Sequence, residues 1–352
     1  MPEQLTRVLS QYSNAFHQQI PRYRQNRYVQ IVVLRETKSH AIFTTEGQTL
    51  DVERLQAGIT TRRQIDRVVM YKRKQIAPER RTGKALQRDL GILNDIVVKD
   101  KRGNNIILKR ADCQIMGNSC GHCPDCILYG YAATKDTGSQ RARVLTDSGF
   151  IVRDITLMMR NIKLNAIQDT IAGGIAGSAF ASRENVLPQI FIPTVETLLD
   201  VTATEFTYVL GNILKTTRYG AESNREGFIR NHVLGIYFSD VELFSNLELT
   251  QRYYDFIAQQ EGGNLPDNLR IDQFVDNWPR VEQASLVQIV GRRRKVEDLD
   301  GLLSGVRELY ESDTLLSNML SELDKEALRY EKDVKSKDKD KASENNGEDA
   351  EA

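Results

Sequence analysis

The stretch CQIMGNSCGHCPDC, from Cys113 to Cys126, holds all four cysteines of a 352-residue chain. Their spacing, C-x6-C-x2-C-x2-C, would force two disulfides to close very small loops. Four thiolates converging on one tetrahedral Zn²⁺ fit the same spacing without that difficulty. Gly117, Gly121 and Pro124 permit the tight turns that convergence requires. Cys113, Cys120, Cys123 and Cys126 are therefore the expected ligands, with His122 as an alternative for one of them. An iron–sulfur cluster is the rival reading, since C-x2-C-x2-C also occurs in ferredoxins. A loop of free thiols is the bland one. A four-cysteine site is closed to substrate, so it argues for a structural role, pinning a segment that has little core of its own.

The first thirty residues contain no apolar stretch of the kind that starts a signal peptide, and no apolar run approaches the length of a membrane span. The expected location is the cytoplasm, where disulfides are rare. Lys and Arg exactly balance Asp and Glu, 48 against 48, but that balance hides a gradient. Residues 54–110 carry 16 basic against 5 acidic side chains, whereas residues 241–330 carry 10 against 17. The basic block is the footprint expected of a polyanion-binding surface, although a charge run is usually just a solvated helix face. Lys72, Arg73, Lys74, Arg80, Arg81, Lys84 and Arg88 are the candidates for phosphate contact on charge alone. A second candidate is the polar loop TTRYGAESNREG, in which Arg218, Tyr219 and Arg225 could meet phosphate and base.

The pattern predicts strands over 28–34, 41–45, 67–71 and 234–243, with a hairpin pairing 96–99 with 106–109. It predicts helices over 50–66, 205–214 and 297–330, a helical KALQRDLGIL, and a loop over 143–150. A strand over 154–166, a flexible 172–185 and a further strand make a protruding hairpin near 166–190. Residues 331–352, nearly devoid of large apolar side chains, are expected to be a disordered tail. This order implies an α+β fold with an antiparallel sheet rather than a βαβ series. TGKA at 82–85 lacks the residues of a phosphate loop, because Pro78 and Ala85 stand where Gly and Ser or Thr are needed. The four histidines are scattered and no acid pair or triad can be named, so an enzyme is not expected.

RYVQIVVLRET with IFTTEG, the basic RRTGKAL, the four-cysteine insertion and LKTTRYGAESNREG together resemble the backbone subunit of type I-D CRISPR Cascade, in the Cas-seven group of the RAMP superfamily. The resemblance spans roughly residues 25–250. It implies an RRM-like (ferredoxin-like) palm over 1–330 and a basic finger region over 54–150, with its zinc site at 113–126. A thumb hairpin over 166–190 and a helical C-terminal region complete the expected molecule. It further implies a non-catalytic protein that binds crRNA without sequence choice, stacks in several copies along it and presents it to target DNA. The implied partners are the large subunit, the small subunit and the subunit that caps the crRNA 5′ end. Type III relatives cut RNA with an aspartate after the first strand, and the comparable segments here, 36–40 and 44–47, contain none. The alternatives are a RAMP-type ribonuclease and a monomeric zinc-containing RNA-binding protein.

Overall fold

The computed structural model describes residues 1–99, 103–132, 139–164, 167–168, 175–176 and 181–348, with side chains of 163–181 and 334–348 left aside. The apolar run IVVL lies in β1 (Tyr28–Thr37), all ten residues of which are buried. A continuous apolar strand of this kind must be covered on both faces, and it is. Val29, Ile31 and Val33 enter one apolar cluster, while Val32 and Leu34 enter another on the opposite side. The alternation is the two-residue period of a strand.

Along the chain, α1 (Glu3–Ser10) and β1 are followed by β2 (Val52–Gln56), β3 (Gln64–Met70) and the basic helix α2 (Lys72–Asp89). The hairpin β4 (Ile96–Lys99) and β5 (Asn105–Leu108) leads to the cysteines, and α3 (Pro124–Tyr129) starts inside them. Short strands β6 (Val144–Thr146) and β7 (Gly149–Phe150) come next. Strands β8 (Met159–Leu164), β9 (Ile167–Gln168), β10 (Ile175–Ala176) and β11 (Ala181–Val186) then pair as β8 with β11 and β9 with β10, both antiparallel. The chain continues through β12 (Phe191–Leu199), α4 (Ala203–Lys215) and β13 (Ile229–Ser239), then α5 (Asn246–Gln260), α6 (Ile271–Leu286) and β14 (Arg293–Lys295). It ends in α7 (Leu299–Glu311) and α8 (Asp313–Glu348).

The central sheet has the order β14-β13-β1-β12-β6, and every pairing in it is antiparallel. Side chains of α1, α4, α7 and α8 cover one face, with Leu5, Phe206, Leu309 and Leu320 fully buried there. Helices α5 and α6 cover the other through Tyr253, Phe274 and Trp278. The α+β antiparallel architecture and the helical C-terminal region thus agree with the sequence.

Several local expectations do not. Residues 50–66, read as a helix, form the β2–β3 hairpin, whose far side meets β7 and whose loop is held by α5: Asp255 accepts the Thr60 and Thr61 N–H groups at 2.7 and 3.1 Å. Residues 41–45 form no strand beyond a single bridge from Ala41 to Val186, and 143–150 is not a loop but carries β6 and β7. Helix α8 runs through most of the stretch expected to be a disordered tail. Part of the 166–190 segment lies outside the described residues; those described form strands β9, β10 and β11 and the turn at 187–190.

One buried polar cluster ties these layers together. Arg35 of β1, wholly inaccessible, pairs with Glu79 of α2 at 3.0 Å and Glu196 of β12 at 2.7 Å. Its remaining donors reach Thr194 at 3.2 Å and Asn231 at 2.9 Å. Burial, and then the second carboxylate, push the Glu196 carboxyl well above its ordinary range, against the opposing pull of Arg35. Arg35→Ala leaves two buried carboxyls without their cation and is expected to cost about 3–5 kcal/mol, read as a lower denaturation midpoint. Glu196→Gln, which keeps the side-chain shape and an oxygen acceptor for Arg35, is expected to cost far less.

A second titration lies at α8. Burial pushes the Glu326 carboxyl from an ordinary 4.5 up to about 7, with the neighbouring Glu205 and Glu322 adding to the effect, even though Thr202 Oγ1 donates to it at 2.7 Å. The folded chain holds this proton more tightly than the unfolded one. Its stabilising contribution is therefore complete below pH 4.5 and lost as pH rises through about 7. Urea denaturation at pH 5 and pH 8 should show a loss on the order of 2 kcal/mol that Glu326→Gln abolishes.

Candidate metal centre and basic groove

The four cysteines are brought together by two short helical pieces and two left-handed glycines. A single 3₁₀ turn at Arg110–Asp112 delivers Cys113, and α3 begins with Cys123 at its N-cap and Pro124 in its first turn. Cys126 lies three residues beyond Cys123, one helical turn on, so both sulfurs face the same side. Gly117 and Gly121 adopt φ values of 82° and 73°, and a Cβ at Gly121 would sit 2.7 Å from the Tyr131 hydroxyl. Only glycine fits there.

All four sulfurs are buried and lie within 4.8 Å of one another. Cys113 Sγ is 3.6 Å from Cys126 Sγ and 3.7 Å from Cys123 Sγ. A disulfide needs about 2.05 Å, and none forms. A tetrahedral ion with metal–sulfur bonds of about 2.3 Å sets the sulfurs about 3.8 Å apart. The donor set therefore fits a tetrahedral metal ion. The Cys120 N–H points at Cys113 Sγ at 3.3 Å and the His122 N–H at Cys120 Sγ at 3.4 Å, as suits thiolate acceptors. His122 itself is not a fourth ligand: its Nδ1 lies 3.1 Å from Glu331 Oε2.

The surroundings balance the charge of such a site. Lys84 Nζ lies 3.1 Å from Cys113 Sγ, 3.8 Å from Cys123 Sγ and 3.4 Å from Asp125. Burial alone would lower the Lys84 ammonium, but Asp125 and the two sulfurs outweigh it and raise it. Arg80 grips Asp125 with two bonds, at 3.1 and 2.7 Å, and Arg88 donates to the Ala111 and Cys113 carbonyls at 2.8 and 2.7 Å. From the other side α8 reaches over: Asp324 receives Arg110 bidentately at 2.6 and 2.9 Å, and Glu331 meets His122. Apart from Leu93, Leu108 and Tyr131, the cysteines have little apolar company.

This placement divides the predicted phosphate contacts. Lys84 is buried against the sulfurs, Arg80 is mostly covered by Asp125, and Arg88, though exposed, is tied to backbone carbonyls. Their charge serves the cysteine unit. Tyr219 is wholly buried, its hydroxyl donating to Glu79 at 2.8 Å and its ring 5.0 Å from the Arg35 guanidinium, so it offers no face to a base. Arg218 and Arg225 are exposed, the former over Phe228.

Lys72, Arg73, Lys74 and Arg81 remain on the open side of α2. With the cysteine loop (Ile115, Met116), Tyr129, Tyr131, β6 and Gly220 they line a groove of about 780 Å³. Partial burial and then the Arg73 charge lower the Lys74 ammonium, against the opposing pull of Asp51, with Arg81 adding to the lowering, which marks crowded cations. The loop of Arg218 and Arg225 reaches the same groove, because Gly220 lines it and Thr216 bonds Thr82 at 2.7 Å.

A family model described as Csc2 Crispr matches residues 15–320. The chain belongs to the Csc2 CRISPR family. A crystal structure of Csc2 from Thermofilum pendens has the same fold, with a TM-score of 0.59 at 16% identity, over 93% of this chain and 98% of that one. None of the curated proteins matches. Among the described residues, no helix is long and apolar enough to cross a membrane.

Sequence reasoning missed the acids that make this site. Glu79 and Asp125 are isolated carboxylates within basic or cysteine-rich stretches, and that isolation is the available signal. Asp324 and Glu331 lie some 200 residues from their partners, and nothing local marks them. Lys84→Met, which keeps the bulk and removes the charge, is expected to weaken metal retention roughly 10- to 100-fold, measured by chelator competition. Cys120→Ser should release the metal altogether while the far-ultraviolet signature of the sheet and helices persists.

Proposed function

We propose that the protein is the backbone subunit of a type I-D CRISPR Cascade complex, binding crRNA as a non-catalytic filament former in the cytoplasm. Several copies bind the guide without sequence choice through an RRM-like palm, and together they present it for pairing with target DNA. The complex includes a large subunit, a small subunit and a subunit capping the crRNA 5′ end. The observation that carries this reading is the groove between α2 and the cysteine loop in a chain of the Csc2 CRISPR family. There Lys72, Arg73, Lys74 and Arg81, with Arg218 and Arg225 nearby, form a track for phosphates rather than for base edges. The metal is Zn²⁺, the ion that four closed thiolates suit best. It stiffens one wall of the groove and takes no part in chemistry. The antiparallel pairs β8–β11 and β9–β10 supply the thumb hairpin.

Glu36, in the segment comparable to the cleavage loop of type III relatives, is engaged by Lys38 and, at 2.9 Å, by His232.

The purified protein should bind single-stranded RNA of any sequence, with more copies on longer RNA. The log–log salt slope should be about −0.7 per phosphate neutralised. Arg73→Glu with Arg81→Glu should weaken all sequences alike and flatten that slope, whereas Tyr219→Phe, a change inside the core, should leave affinity unchanged. One protein per RNA whatever its length, or cleavage of labelled RNA, would refute the reading.

A further inference from the structure

Two basic segments far apart in the chain, the tyrosine-bearing PRYRQNRY (21–28) and GRRRK (291–295), meet at one edge of the sheet. The register brings them into line. Tyr28 of β1 pairs with Ser239 of β13, and Ser239 pairs with Arg293 of the edge strand β14. Between them, Arg27, Tyr28, Asp240 and Arg292, Arg293, Arg294 line a groove of about 440 Å³.

The chemistry is that of an anion track. All three residues of β14 are exposed. Two cations here have carboxylate partners, Arg292 with Asp240 at 2.8 Å and Lys295 with Glu282 at 2.5 Å. Four more are held by neutral oxygens: Arg24 by the Tyr28 hydroxyl at 2.8 Å, Arg27 by the Asn14 and Phe16 carbonyls, Arg293 by the Ile289 carbonyl and Arg294 by the Gln11 carbonyl. Those contacts orient the guanidinium groups without neutralising them, so their charge remains for a ligand. Arg294 also stacks 4.3 Å from the Tyr12 ring centre. Tyr23, four residues before Arg27 in the chain, is 69% exposed, with Arg22 over its ring at 5.3 Å. Arginines interleaved with an open aromatic ring suit a single-stranded nucleic acid, whose phosphates and bases need both.

We infer that the β14 edge is a second binding track for single-stranded nucleic acid, separate from the α2 groove. The two lie at opposite edges of the sheet, since β6 lines one and β14 the other, about four strand spacings or 19 Å apart. The choice of ligand rests on the RNA-binding reading above. The existence of a separate track does not.

The test counts sites. Oligouridylate and oligodeoxythymidylate of about five nucleotides are titrated into the full chain at low salt. Stoichiometry is followed by native mass spectrometry and calorimetry. Two oligonucleotides per chain are expected, falling to one with Arg293→Glu/Arg294→Glu, to one with Arg73→Glu/Arg81→Glu, and to none when all four are combined. Tyr23→Ala, an exposed change that leaves the fold intact, should weaken only the β14 site, by about five-fold or more. One oligonucleotide per chain, lost only when Arg73 and Arg81 are reversed, overturns the second track and leaves the proposed function standing. One lost only with Arg293 and Arg294 overturns the α2 groove instead and upholds the track. Binding that neither pair affects, or no binding at all, refutes both.

Discussion

The contact between Arg35, Glu79 and Glu196 is the one on which the rest of the molecule depends. A guanidinium in the middle of an apolar strand is costly unless its donors are met, and here they are met from three directions. Glu196 comes from the neighbouring strand, Glu79 from the basic helix, and Asn231 from the strand on the other side. Glu79 is therefore the pin that holds α2 to the sheet. Everything α2 carries, its open cations as well as Lys84 and Arg80, takes its position from that pin. Gly83 tightens the join, since a Cβ there would sit 2.1 Å from the Tyr208 hydroxyl of α4.

Helix α2 has two faces with different uses of the same charge. One face feeds the cysteine unit, where Lys84, Arg80 and Arg88 meet sulfur, carboxylate and carbonyl. The other faces the groove lined by Lys72, Arg73, Lys74 and Arg81, where Arg73 meets only the neutral Thr45 carbonyl, at 3.2 Å. The cysteine unit, with few apolar residues of its own, borrows its rigidity from a metal-ready core and from clamps supplied by α2 and α8. A metal ion held there would be a structural element of the groove wall.

The cysteine constellation was legible in the sequence because its ligands are close together in the chain and their spacing allows few geometries. The central strand was legible because an apolar run covered on both faces is a strong signal, as was the apolar periodicity of α7 and α8. The β2–β3 hairpin was misread as a helix because its strands are short and mostly exposed on β2, so apolar spacing there reflects contacts with β7 and α5 rather than a local period. The segment TGKA is the clearest case of a pattern whose meaning is tertiary. Thr82 bonds Thr216, Gly83 admits Tyr208 and Lys84 faces the sulfurs. The candidate cations divide between the cysteine unit and the groove for the same reason. Charge can be counted along a sequence, but which side of a helix faces a carboxylate 45 residues away cannot.

The long-range pairing of β1 has a consequence for how the chain is made. Arg35 finds Glu196 after 161 residues and Asn231 after 196. A ribosome adding roughly 5–20 residues per second leaves this ten-residue apolar strand without either neighbour for on the order of ten seconds or more. The cysteine unit waits longer still, because Asp324 and Glu331, its cover on α8, emerge near the end of translation. Early in its life the nascent chain thus exposes both its stickiest strand and its most reactive sulfurs, and prompt capture of a metal ion would shelter the second while the first awaits its partners.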